Sequence, residues 1–170
     1  MTPRVVLVGP PGSGKTTVGC ALAERWGVSF RDTDADVSAT AGKSVSDIFV
    51  DDGEAAFRRL EAAAVATALG THDGVLALGG GAVTTGETRE ALGGHRVIFL
   101  DVGLADAASR VGLGVTRPLL LGNVRAQLKQ LLDERRPLYA AVAMATVGTD
   151  GLSVDEVADG VEASLAALAS

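Results

Sequence analysis

The stretch "GPPGSGKTT", residues 9–17, constrains this chain more than any other. It follows a short β-branched run, "RVVLVG" (4–9), and leads into "KTTVGCALAERW" (15–26), where Val18, Ala21, Leu22 and Trp26 recur at helical spacing. From Gly9 to Thr16 it fits G-x-x-x-x-G-K-[ST], a turn whose mechanics need a strand before it and a helix after it. Glycines at 9, 12 and 14 let backbone amides point inward at a phosphate, and the helix adds its positive N-terminal end. Lys15 then reaches the β- and γ-phosphates, and the Thr16 hydroxyl is placed to ligate Mg²⁺. An ordinary glycine-rich turn has no use for the Lys-Thr pair, so the segment predicts a bound nucleoside triphosphate with Mg²⁺.

The rest of the chain repeats the strand–helix order. "VSFRDTD" (28–34) reads as a second strand ending in Asp32 and Asp34, "KSVSDIFVDDG" (43–53) as a helix opened by Ser44 and stopped by Gly53, and "EAAFRRLEAAAVATAL" (54–69) as a strong helix. "GVLALGGG" (74–81) and "RVIFLDV" (96–102) are strands three and four, and "LADAASRV" (104–111) is a short helix. Residues 112–124 mix Gly, Pro and an arginine without a period and read as a mobile loop. "RAQLKQLLDERRPLY" (125–139) reads as a helix broken at Pro137, and "MATVGTD" (144–150) as a weak fifth strand. "SVDEVADGVEASLAALA" (153–169) closes the chain as a helix with Ser153 and Glu156 at capping-box spacing. Apolar strands alternating with helices predict an α/β fold, a three-layer sandwich with a five-stranded parallel sheet and helices on both faces. No linker or repeat divides residues 1–170, so one domain is expected. Ligands gather at the carboxyl ends of such strands, where "GPPGSGKT", "DTD" and "GGGAV" all fall.

Charge narrows the partners. A formal charge of −6 and a pI of about 4.8 leave no basic stripe to neutralise a polyanion, which argues against nucleic acid and against an anionic membrane surface. Small anions need only a few local cations. A single cysteine, Cys20, excludes an internal disulfide, and no apolar run suits a signal or a bilayer span. The expectation is a cytoplasmic monomer. His72 and His95 lack ligand spacing for zinc, and packing is the expected role of Cys20 and Trp26 on the first helix.

Three further segments point to an acceptor. Asp32 and Asp34 lie two apart at a strand end, so an extended backbone turns both the same way. One carboxylate can orient waters on Mg²⁺ and the other can accept a hydrogen bond from a hydroxyl, although solvated turn aspartates are the plainer alternative for an isolated pair. Arg58 and Glu61 are neighbours at i, i+3. As a surface ion pair they contribute roughly 0–1 kcal/mol, whereas a braced Arg58 offers its planar fork to a carboxylate. Phe49 and Phe57 either wall the same pocket or pack in the core. In "GGGAV" the missing Cβ atoms let an acceptor lie against bare backbone N–H groups.

Taken in order, "GPPGSGKTT", "FRDTD", "DIFVDDGEAAFRRLE", "LALGGGAV", "TRPLL" and "ERRPLY" resemble the shikimate kinases from about Arg4 to Tyr139, with the remainder following only in outline. The resemblance implies ATP-dependent phosphorylation of the 3-hydroxyl of shikimate, with Mg²⁺, on the route to chorismate and the aromatic amino acids. It implies that Gly12, Ser13, Gly14, Lys15, Thr16 and Thr17 hold the nucleotide, and that Thr16 and Asp32 serve Mg²⁺, Asp32 through water. Asp34 binds the ring hydroxyls and is the candidate general base. Arg58 and Arg135 take the carboxylate, and Gly79, Gly80 and Gly81 border the shikimate site within a substrate segment of about 32–61 and its surroundings. Arg117 lies on a lid of about 112–124 and swings onto the phosphates, completing a catalytic set with Lys15 and Asp34. In the family's R-x-P-L-Y pattern the arginine two before proline is Arg135, and Arg136 beside it is the alternative.

Two rival readings stand beside this one. A gluconate- or nucleoside monophosphate-type kinase shares the phosphate loop and lid, but a nucleotide acceptor needs base-reading groups. A P-loop switch or ATPase explains "GPPGSGKTT" and leaves the other segments without a substrate. No adenine-reading motif stands out, and Asp150–Leu152 are the nearest candidates for the base site.

Overall fold

The computed structural model describes residues 1–110 and 118–169, and the side chains of all of these except 118–123. Strands β1 (Val5–Val8), β2 (Phe30–Asp32), β3 (Val75–Ala77), β4 (Val97–Asp101) and β5 (Ala145–Gly148) form one parallel sheet in the order β2-β3-β1-β4-β5. Val6 of β1 sits opposite Leu76 on one side and Val97 on the other. The central strand reads as an unbroken apolar run because both of its faces are covered. Val6 and Val8 pack with Leu76, Phe99 and Tyr139, whereas Val5 and Leu7 pack with Leu22, Ile98 and Val161.

Helices α1 (Lys15–Trp26) and α7 (Val154–Leu168) supply the second of these layers. Helices α3 (Val45–Thr71) and α6 (Pro118–Val142) supply the first, with α4 (Gly86–Ala91) beside them. The expected caps are present. The Ser44 hydroxyl accepts from the Asp47 amide, and Ser153 and Glu156 form a reciprocal capping box. Gly53, at φ +86° and ψ 168°, is non-helical and divides α3 into two helical segments, as its expected role as a stop requires. Trp26 packs against the second layer while its indole N–H donates to Glu162.

Four local expectations fail. A helix, α2 (Thr33–Ala41), begins directly after β2, so Asp34 lies in a first helical turn rather than on a strand. The Asp32 carboxylate starts it by capping the Asp34 amide, an N-cap signal that the strand reading absorbed. Helix α6 is present from Pro118, the first described residue of this stretch, so residues 118–124 are helical instead of loop. The same helix continues through Pro137. An interior proline costs about 3 kcal/mol, and burying Leu132 and Tyr139 on either side returns roughly 1.5–3 kcal/mol each. Cys20 is exposed rather than packed in the core, because the inward face of α1 is taken by Val18, Leu22 and Ala23. The short helix α5 (Leu104–Arg110) matches expectation.

Candidate active site

A cavity of about 430 Å³ opens at the carboxyl end of the sheet. Its wall is made by Pro11, Gly12 and Gly14–Thr17 after β1, by Asp32 and Asp34 after β2, by Leu78–Gly80 after β3, and by Arg110. Segments separated widely in sequence thus meet because parallel strands all end on one side.

On the phosphate side, Gly12 and Gly14 adopt φ of +80° and +88°, left-handed values that let the loop turn back on itself. The Lys15 ammonium folds over that loop and donates to the carbonyls of Gly9 (2.8 Å) and Pro10 (3.1 Å). Burial lowers its pKa to about 8 against the opposite pull of Asp32 and Asp34, and the positive charge of Arg135 lowers it further. Ser13 is buried, and its Oγ has no hydrogen-bond partner. Thr16 Oγ1 lies 3.5 Å from Asp32 Oδ2. These two hard oxygens suit Mg²⁺, which takes one or two protein ligands and fills its octahedron with water and phosphate. Among the described residues no cluster of three or more His, Cys, Asp or Glu forms an all-protein metal cage. His72 is buried, with Nε2 3.0 Å from the Val75 carbonyl.

On the other side, burial raises the pKa of Asp34, and the charge of Asp32 raises it further, against Lys15 and Arg58. Glu61, 1 % exposed, accepts from Arg58 Nη1 at 2.8 Å. Burial raises its pKa too, while that hydrogen bond holds it down. The pair is therefore interior, not a surface ion pair. Arg58 Nε is buried without a hydrogen-bond partner. Phe57 packs with Val37 and Ile48, has the Arg58 guanidinium 5.2 Å from its ring centroid, and meets the exposed Phe49 ring in a tilted contact at 4.6 Å. Both rings therefore pack rather than line this cavity.

The triple glycine is explained mainly by neighbouring side chains. A Cβ on Gly79 would collide with Asp34 and stand 2.9 Å from Glu61 Oε2. One on Gly80 would stand 3.0 Å from Pro11 Cδ, and one on Gly81 would stand 2.7 Å from Arg58 Cζ. The Gly79 amide is tied to the buried Thr33 hydroxyl at 3.1 Å.

Arg135 and Arg136 face different ways. Arg136 reaches Asp101 (3.3 Å) and the Val102 carbonyl (2.9 Å), securing α6 to the end of β4. The charge of Arg135 is felt at Lys15, Glu61 and Tyr139. Arg117 lies outside the described residues.

Sequence reasoning missed three residues here. Arg110 donates to the Gly12 carbonyl (3.0 Å) and to Thr149 Oγ1 (3.2 Å), bridging the phosphate loop to the end of β5. With Thr149 it borders a second hollow of about 300 Å³ beside Ser13 and Thr17. Of Asp150–Leu152, only Leu152 lines that hollow, while the Asp150 carboxylate accepts from the Gly103 amide at 2.9 Å. Tyr139, fully buried, donates to the Gly80 carbonyl. A basic residue ending the helix after β4, and the sole tyrosine of the sequence, were the available signals.

This sheet order and loop define a P-loop nucleotide-binding protein with room for a second ligand beside the phosphates. The shikimate kinase family model matches residues 11–166. The shikimate kinase of Salinispora arenicola is 65 % identical over 167 residues, spanning 98 % of this chain and 100 % of that one. That of Thermobifida fusca is 59 % identical over 157 residues, spanning 92 % and 91 %. Among solved structures, a shikimate kinase from Acinetobacter baumannii in complex with shikimate aligns with a TM-score of 0.89 and 34 % identity, over 99 % of this chain and 95 % of that one. A gluconokinase from Sinorhizobium meliloti, at TM-score 0.62 and 24 % identity over 97 % and 92 %, shares the fold. The chain belongs to the shikimate kinase family.

Proposed function

We propose that this chain transfers the γ-phosphoryl group of ATP to the 3-hydroxyl of shikimate, and that the residues gathered in the cleft divide the work as follows. Amides of the phosphate loop and Lys15 take the nucleotide phosphates, with Lys15 exchanging its two carbonyl acceptors for phosphate oxygens. Thr16 and Asp32 are the residues suited to hold Mg²⁺, which when bound neutralises charge on the β- and γ-phosphates. Arg58, held by Glu61, and Arg135 grip the acceptor's carboxylate at one end. Asp34 meets the hydroxyl at the other and takes its proton as the phosphoryl group moves. Phosphoryl transfer depends on such alignment more than on covalent help. Arg117, on a lid of about 112–124, completes the charge cage and helps exclude water. The acidic, single-cysteine chain is assigned to the cytoplasm as a monomer.

The observation that carries this reading is that Asp34, Gly79 and Gly80 line one cavity with the phosphate loop, while Arg58 stands against the neighbouring Gly81. A switch or simple ATPase needs no arginine held by a buried glutamate beside the glycine turn. ADP release measured with shikimate, gluconate, AMP or no acceptor tests it. Acceleration by shikimate alone is expected, and equal hydrolysis without acceptor rejects the assignment.

A further inference from the structure

The Tyr139 ring packs on Phe99 with centroids 5.0 Å apart, in a fully buried setting where phenylalanine would fill the same space. A hydroxyl there needs partners, and it has two of functional interest. It donates to the carbonyl of Gly80, the middle residue of the triple glycine, whose α-carbon abuts Pro11 of the phosphate loop. Arg135 lies four residues earlier on α6, one turn away on the same face, and its positive charge acts on the phenol. Burial pushes the phenol pKa up to about 12 although Arg135 pulls the other way, so the proton stays in place. The single proton goes to Gly80, which leaves the oxygen lone pairs turned to accept from a cation on the preceding turn.

We infer that Tyr139 is a positioning residue, which clamps the Gly80 carbonyl and aims Arg135 and thereby sets the spacing between the glycine turn and the carboxylate-binding end of the acceptor site. Pro137 lies between the two residues, and the continuous helix across it keeps Arg135 and Tyr139 on adjoining turns of one face. The inference rests on Arg135 serving the acceptor's carboxylate, as proposed above.

The test is Tyr139→Phe, which preserves the ring. Initial rates are measured with shikimate varied at saturating ATP, and with ATP varied at saturating shikimate. The expected result is a rise of about tenfold in the KM for shikimate, the scale of one hydrogen bond to a charged group, with the KM for ATP unchanged. A lower melting temperature with an unchanged KM for shikimate marks a packing residue and overturns the inference. Arg135→Ala and the double variant close a cycle. If Tyr139 acts through Arg135, its loss costs little once Arg135 is gone, and fully additive effects overturn the link. If Tyr139→Phe is too unstable for kinetics, ligand-induced thermal shifts replace rates, with a normal shift from ADP and a diminished one from shikimate expected. Wild-type protein that ignores shikimate refutes the proposed function itself, whereas an active wild type with an indifferent variant refutes only the role of Tyr139.

Discussion

The phosphate loop occupies consecutive residues, Gly9 to Thr17, and works through backbone geometry plus one lysine. The opposite side as proposed draws Asp34 from α2, Arg58 and Glu61 from α3, three glycines from the turn after β3, and Arg135 from α6, of which Asp34, Gly79 and Gly80 line the cavity. The first half forms as soon as a strand, a turn and a helix form. The second exists only when four elements have packed, and it stores the cost in Glu61 and Asp34, two carboxyls whose burial opposes ionisation. One half should therefore tolerate changes around it while losing chemistry to single deletions. The other should lose acceptor recognition to any shift in its packing.

The largest effect separates the halves cleanly. Lys15→Met removes the cation nearest the transferring group and is expected to lower kcat by about 10³-fold, the scale of losing a preorganised charge at a transition state. Shikimate binding, read by calorimetry, should survive. Loss of both together shows that the two halves are not separable. Next comes Gly81→Ala, whose Cβ falls against the Arg58 guanidinium. Displacing that group by an ångström costs on the order of 10²-fold in kcat/KM for shikimate, with the KM for ATP unaffected. An active Gly81→Ala protein means that Arg58 does not touch the acceptor. Arg58→Lys is milder, with a KM for shikimate raised roughly tenfold or more through loss of the bidentate fork. An equal loss for ATP removes Arg58 from the acceptor side.

The same contrast explains what the sequence disclosed. The phosphate loop, the five strands and the Arg58–Glu61 spacing were readable because each is local, within one strand–helix unit or one helical turn. Asp34 was found for a partly wrong reason. Its reach into the cleft comes from the first turn of α2, started by the Asp32 cap, and not from strand alternation. A break of α6 at Pro137 follows from a local penalty taken without the burial of Leu132 and Tyr139 that offsets it. The sequence places Arg110 at a helix end and Tyr139 in "ERRPLY", but nothing local shows what either one touches. Their partners, Gly12 and Thr149 for one and Gly80 for the other, lie far along the chain and are brought close only by the sheet order.

The smallest expected effect asks whether the two halves share an electrostatic field. Asp34 must be ionised to accept a proton, so kcat/KM for shikimate should fall as pH drops through its pKa, which burial and Asp32 hold above that of an ordinary aspartate. Lys15 must stay protonated to serve phosphate, so the rate should also fall as pH rises through about 8 in the free protein. The Asp32 carboxylate raises both values, that of Asp34 by like-charge repulsion and that of Lys15 by attraction. Asp32→Asn therefore lowers both, and the whole bell should move toward acid by up to about one unit without narrowing. The measurement is the pH profile of kcat/KM at fixed ionic strength, with Mg²⁺ held saturating so that weakened metal binding does not distort the limbs. If only the alkaline limb moves, the acid limb belongs to another group and Asp34 is not the proton acceptor. If neither moves, the two walls of the cleft titrate independently, and the charge of Asp32 matters only to the metal.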